Sequence, residues 1–126
     1  MGWVLVIDED QDESAWIERV ARTHGHRTQV FDGVYAAREA LARGAGLVIV
    51  SAGKQGERAE ARLRVLEREG VDAGRILLVL GGLRSDGPRN AFTGRLAGIL
   101  RRPLGLDILT EHLQSAFSAP SPTTGR

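Results

Sequence analysis

Leu47-Val48-Ile49-Val50 is a run of consecutive apolar residues, mostly β-branched, with Gly46 before it and Ser51 and Gly53 after it. A run this short and this uniform suits a strand covered on both faces, the situation of a central strand in a parallel sheet. Trp3 to Ile7 and Ile76 to Leu80 have the same character, and each is followed by a loop and a helical pattern. Parallel strands need a crossover between them, which the helices supply, and ligands gather at the carboxyl ends of such strands. The residues just past each apolar run are therefore the first place to look for chemistry, and past the middle run stands Ser51.

Between these runs the chain alternates regularly. Asp8-Glu9-Asp10 closes the first strand, and Asp10 or Asp12 can cap a helix whose Trp16, Ile17, Val20, Ala21 and His24 recur on one face. Gly25 ends that helix. Arg27 to Phe31 alternates polar with apolar and reads as a strand near a sheet edge. After an Asp32-Gly33 turn, Val34 to Ala42 reads as a helix with Val34, Ala37 and Leu41 inward. Gly53-Lys54-Gln55-Gly56 leads into a charged helix over Glu57 to Glu69, with a thin stripe of Ala59, Leu63 and Leu66 and the charges on a solvated face. Gly70 stops it. Beyond Gly81-Gly82, Arg89 to Leu96 fits a short helix, Gly98 to Leu100 a last strand, and Leu106 to Phe117 an amphipathic helix. Ser118 to Arg126 has no periodicity and reads as a tail or the start of a linker after a domain over residues 1–117.

Alternating strands and helices at this length imply an α/β fold, a doubly wound five-stranded parallel sheet of flavodoxin-like order 2-1-3-4-5 with helices on both faces. Its third strand sits between the first and fourth, and the switch point falls between strands one and three.

Composition removes several functions. The chain has no Cys, so disulfides, thiolate nucleophiles and Cys-bound metals are excluded. Net charge is +1 with both signs interspersed, which suggests neither a nucleic-acid patch nor a membrane surface. With no leader or membrane-span pattern, a cytoplasmic location is expected. Neither Gly-rich loop has the spacing of a P-loop or dinucleotide fingerprint, and the acidic loop after strand one would repel phosphate. His24 and His26 straddle Gly25 with no third ligand nearby. Trp16 is expected in the core.

Taken together, these residues resemble a response-regulator receiver domain of the CheY-like family. The likeness rests on Val4 to Ile7 with Asp8-Glu9-Asp10, on Gly25-His26 followed by Val30, Asp32-Gly33 and Ala36-Ala37, and on Leu100-Arg101-Arg102-Pro103. It implies a site of an Asp nucleophile after strand three, acids after strand one that hold Mg²⁺, a hydroxyl after strand four and a Lys after strand five. Those places carry Ser51, Asp8 and Glu9, Gly81 and Arg102. A serine hydroxyl needs a base to become nucleophilic, and Gly81 has no side chain to donate a hydrogen bond. The aromatic switch position falls on Ile99.

The resemblance therefore implies a degenerate pseudo-receiver: no enzyme, no cofactor beyond weak Mg²⁺ at Asp8 and Glu9, and a role as a protein-interaction module in bacterial two-component signalling. Arg102 is expected to pair with Asp8 or Glu9, and the Arg102-Pro103 bond is expected to be cis. The binding surface would be the face of the fourth helix, last strand and last helix, with Arg95, Ile99, Arg101 and His112. A signalling protein is the expected partner, with a second copy of this chain among the candidates. Two other readings stand beside this one: a receiver phosphorylated at the acid cluster or at Ser51, and a flavodoxin-like domain that binds a small ligand.

Overall fold

The computed structural model describes residues 3–53, 59–81 and 95–117. Its strands are β1 (Trp3–Ile7), β2 (Arg27–Phe31), β3 (Leu47–Ser51), β4 (Ile76–Leu80) and β5 (Gly98–Arg101), and its α-helices are α1 (Gln11–Thr23), α2 (Arg38–Ala42), α3 (Ala59–Arg68) and α4 (Leu106–Phe117). The strands form one parallel sheet in the order β2-β1-β3-β4-β5. This is the expected topology, and the alternating register of the central strands shows how it is held.

In β3, Val48 and Val50 point to one face and Leu47 and Ile49 to the other. The first face packs with Leu5, Ile7, Ile76, Leu78 and Leu80 against Leu41 of α2 and Leu63 and Leu66 of α3. The second packs with Val4, Val6, Leu77 and Val79 against Ile17 and Val20 of α1 and Leu109 and Leu113 of α4. Every residue of β3 and β4 is buried. Burying a side chain of this kind contributes about 1.5–3 kcal/mol, so these two strands supply a large part of the driving force. At the edge of the sheet, β2 does not keep the expected alternation: Thr28 is buried, but Val30 is 37% exposed and Phe31 half-buried.

Local chemistry sets the helix ends. Asp10 is the N-cap of α1, and its Oδ1 accepts from the N–H groups of Asp12 and Glu13, both at 3.0 Å. That bond turns the chain so that Glu13 faces back toward the end of β1. Gly46 has a packing role: a Cβ placed there would lie 2.0 Å from Cε1 of Phe117. The Phe117 ring fills that space and stacks on His26, with centroids 4.4 Å apart.

Several expectations need correction. Val34 to Ala37 forms a turn, not the first half of a helix. Its bonds, Ala37 N–H to the Val34 carbonyl and Arg38 N–H to the Tyr35 carbonyl, span three residues, and α2 starts only at Arg38. No side chain caps this end. Val34, Ala37 and Leu41 still reach the core. Trp16 is half-buried and packs against the core from the rim of a groove, and His24 is exposed. Arg62, counted among the solvated charges of α3, is only 7% exposed. The last strand runs one residue further than expected, to Arg101. Residues 54–58, most of the expected helix over Arg89 to Leu96, and the expected tail from Ser118 lie outside the described residues.

Candidate functional site

The carboxyl ends of the central strands meet where the sequence points. Asp8 and Glu9 follow β1, Ser51 ends β3, Gly81 follows β4, and Arg102 follows β5. Backbone bonds hold this edge in place: the Asp8 N–H donates to the Phe31 carbonyl, Ala52 N–H to the Val79 carbonyl, and Arg102 N–H to the Leu80 carbonyl. Gly81 is buried and brings no side chain to the edge.

Ser51 is buried, and its Oγ accepts from the Gly53 N–H at 3.1 Å and from Arg102 Nη2 at 2.9 Å. Both contacts draw electron density from the oxygen. Activation of a serine requires the opposite, a base that takes its proton. Arg102 does more than touch Ser51. Its Nε and Nη2 make a two-pronged pair with the Glu13 carboxylate, each at 2.8 Å, and its Nη1 donates to the Gly53 carbonyl at 3.2 Å. The expected partner of Arg102 was Asp8 or Glu9. Glu13 takes that place because the Asp10 cap aims the first turn of α1 at the strand ends. The Arg102-Pro103 bond is cis, as the resemblance implies.

Glu9 is engaged elsewhere. Arg62, one of the buried residues of α3, reaches its carboxylate with Nη2 at 2.5 Å and Nη1 at 3.3 Å. The same Nη1 donates to the Ser51 carbonyl at 2.6 Å. Asp8, Glu9, Ser51 and Arg102 thus lie in one network, completed by Glu13 and Arg62, which the sequence reading missed. A signal for Arg62 existed. Residues 59, 62, 63 and 66 have the i, i+3, i+4, i+7 spacing of one helix face, so Arg62 belongs to the inward stripe. Glu13 was legible as the third residue after a capping Asp, in the N-terminal turn.

Asp8 is 4% exposed. Its Oδ1 accepts from the Asp10 N–H at 2.9 Å, whereas its buried Oδ2 has no donor facing it. The Glu13 carboxylate acts on the Asp8 carboxyl, an interaction that is a hydrogen bond when Asp8 carries a proton. Burial, followed by this bond to Glu13, pushes the Asp8 pKa up from 3.8 to about 7. Glu13 moves the other way. Burial works against its charge, but the bonds from Arg102 and Asp8 outweigh burial and hold it below the usual carboxylate range. Arg102 is held above its ordinary value, first of all by its bond to Glu13. The edge therefore holds two carboxylates, two guanidinium groups and one readily protonated acid.

The receiver resemblance implies Mg²⁺ here, and the residues present do not fit it. Mg²⁺ demands near-ideal octahedral oxygen geometry and is usually held by one or two free carboxylates together with several waters. Glu9 is bound to Arg62, Glu13 to Arg102, and the Ser51 and Gly53 carbonyls already accept from guanidinium groups. Among the described residues no cluster of three or more His, Asp or Glu side chains is arranged to hold a metal ion.

No family model matches the sequence, and no curated protein matches it either. Solved structures do. A response-regulator receiver protein from Burkholderia phymatum superposes with a TM-score of 0.71 at 16% identity, covering 97% of this chain and 99% of that one. The fold is that of a response-regulator receiver domain. The pseudo-receiver domain of the CikA protein gives 0.66 at 15% identity, over 95% of this chain and all of its own. An orphan response regulator of H. pylori, HP1043, gives 0.64 at 17% identity, over 90% and 94% of the two chains. In this receiver fold the expected interaction face lies on β5 and α4. Arg95, Ile99 and Arg101 are exposed, and the His112 ring lies over Gly98, its Cε1 2.4 Å from where a Cβ would stand.

Proposed function

We propose that this chain is a phosphorylation-independent pseudo-receiver, a non-enzymatic protein-interaction module of two-component-type signalling that works in the cytoplasm. The observation that carries this reading is the state of Ser51. Where a receiver would place an ionised carboxylate, this chain has a buried hydroxyl whose oxygen accepts from Arg102 and from the Gly53 N–H. A neutral oxygen fixed by a cation is a poor attacking group, and neither Asp8 nor Glu9 is disposed to assemble the metal that phosphoryl transfer needs.

Further support comes from the output side. The switch position is Ile99, and Gly81 has no hydroxyl with which to sense a phosphoryl group, so the usual coupling between site and surface has lost both of its side chains. What remains is a fixed surface. Ile99 of β5 is 43% exposed, beside Arg95, Arg101 and the half-buried His112, and Leu106 and Ile108 of α4 are also exposed. Scattered apolar groups among charges suit a protein partner that binds reversibly. Among the described residues no helix is long and apolar enough to cross a membrane.

The test is direct. The full chain is incubated with Mg²⁺ and acetyl phosphate, and its intact mass is recorded. No phosphoryl adduct is expected. A stoichiometric adduct, lost on Asp8→Asn or Ser51→Ala, would overturn the proposal.

A further inference from the structure

At the carboxyl edge of the sheet, the oxygens of Glu9, Glu13 and Ser51 and the Gly53 carbonyl are already bonded to nitrogen, whereas the buried Asp8 Oδ2 faces no donor. Glu9 Oε1 and Oε2 and the Ser51 carbonyl face Arg62. Glu13 Oε1 and Oε2, Ser51 Oγ and the Gly53 carbonyl face Arg102. These two arginines come from different elements, α3 and the end of β5, and converge on Ser51 from its two sides, one at the carbonyl and the other at the hydroxyl. Both are largely shielded from water: the Arg62 side chain is 9% exposed and that of Arg102 21%.

We infer that Arg62 and Arg102 are built-in counter-cations that take the place of a divalent ion, so that this edge is closed to metal and opens to it only when a guanidinium is removed. The inference deepens the pseudo-receiver reading and rests on it for treating this edge as the ancestral site.

The physical case is one of charge and donor geometry. Two guanidinium groups carry the charge of one divalent cation and offset the two carboxylates, Glu9 and Glu13. Each guanidinium is planar and multidentate, stays charged at any physiological pH, and is less strongly hydrated than a small cation. A tethered arginine also costs no translational entropy on arriving, whereas a Mg²⁺ ion must shed tightly held water first. For a metal to enter, it would have to displace N–H donors from buried carbonyl oxygens and bring two positive charges up against two others. The arrangement also explains the position of Arg62. A buried arginine on the inward stripe of a helix is costly unless it is paired, and here its partners are the carboxylate and carbonyl that a metal would otherwise bridge.

Mn²⁺ binding by the full chain, followed through the relaxation of water protons and competed with Mg²⁺, tests this. The wild-type chain is expected to show no saturable site through the millimolar range. Arg62→Gln combined with Arg102→Gln should gain one saturable site that Mg²⁺ competes for, and should show a melting temperature that rises with metal. Arg62→Lys with Arg102→Lys retains both charges and should gain none. Where the doubly substituted Gln chain does not fold, the single Arg62→Gln and Arg102→Gln variants supply the comparison. One equivalent of Mn²⁺ on the wild-type chain overturns the inference, and so does the absence of any gain in the folded Gln variants. A wild-type chain that binds Mn²⁺ yet takes no phosphoryl group overturns this inference alone, whereas an adduct from acetyl phosphate overturns the pseudo-receiver reading.

Discussion

Replacing Asp8 by Asn should abolish a specific component of the pH dependence of folding. In the folded chain Asp8 is buried against Glu13 and its pKa is pushed up from 3.8 to about 7. Between those values the folded chain binds a proton that the unfolded chain has released. Stability from this group is complete below pH 3.8 and is lost as pH rises toward 7, at about 1.4 kcal/mol per pH unit. Over the whole interval the loss approaches about 4 kcal/mol, a large part of what a domain of this size has in reserve. Glu13 acts in the opposite sense and in a different window. Its folded pKa is depressed, so its contribution is present above the ordinary carboxylate value of 4.5 and is lost only as pH falls below it. The pair is thus most stable near pH 4 to 5.

Asn has the shape of a protonated Asp, with an oxygen to accept from the Asp10 N–H and an N–H to donate to Glu13, so Asp8→Asn fixes permanently what the proton supplies only at low pH. Urea unfolding of both chains from pH 4 to 8.5 provides the assay. The stability of Asp8→Asn minus that of the wild type should climb with pH, by ~2–4 kcal/mol in all, and level off above pH 7. Histidines that titrate in the same range, such as His26, whose pKa burial lowers, cancel in the difference. Parallel curves for the two chains would refute the shared-proton account of Asp8 and Glu13.

Three further outcomes follow from the same geometry. Ser51→Asp alone should not restore phosphoryl acceptance, because the new carboxylate would meet Arg102 while Arg62 still holds Glu9; a mass adduct in that variant would refute this. Arg62→Met should cost ~2–3 kcal/mol in urea unfolding, since it strips the buried Ser51 carbonyl of a charged donor and leaves Glu9 without that partner; a loss below ~0.5 kcal/mol would mean that the contact contributes little. Gly46→Ala should lower stability by ~1–3 kcal/mol by driving a methyl into the Phe117 ring, and much of that loss should vanish when Phe117→Leu is the background; equal losses in both backgrounds would rule the clash out.

How legible all this was depends on which force sets each feature. The sheet was readable because its order follows from continuous apolar runs alternating with amphipathic helices, and burial on both faces leaves β3 and β4 little choice of place. The start of α2 was not, because Val34, Ala37 and Leu41 face inward from either a turn or a helix, and periodicity does not separate the two. In the site, the residues at strand ends were legible because topology alone delivers Asp8, Glu9, Ser51 and Arg102 to one edge. Their pairing was not. Which acid meets Arg102 is decided by the entry angle of α1, which the Asp10 cap sets, and which cation meets Glu9 is decided by the rotation of α3. Arg62 was misread because charge was weighed before position. Its spacing with Ala59 and Leu66 already placed it on the buried stripe, and a buried charge at that spacing calls for a partner.

On the proposed pseudo-receiver reading, Ser51 and the two arginines belong to one arrangement of charge. An edge that keeps Asp8, Glu9 and Glu13 without any counter-cation would hold three acids with mutual repulsion, two of them, Asp8 and Glu13, largely out of water. Such an edge has two ways to become stable: bind cations from solution, or supply them from the chain. The first leaves stability tied to the metal concentration and keeps the site exchangeable, as a switch requires. The second removes both dependences. With Arg62 on Glu9 and Arg102 on Glu13, the fold supplies two of the counter-charges itself, and burial against Glu13 raises the Asp8 pKa to about 7. A neutral Ser51 then suits the centre better than an aspartate would, because a fourth carboxylate would again unbalance the charge. On the proposed reading, Ser51 is the neutral residue around which two arginines balance the charge of the edge.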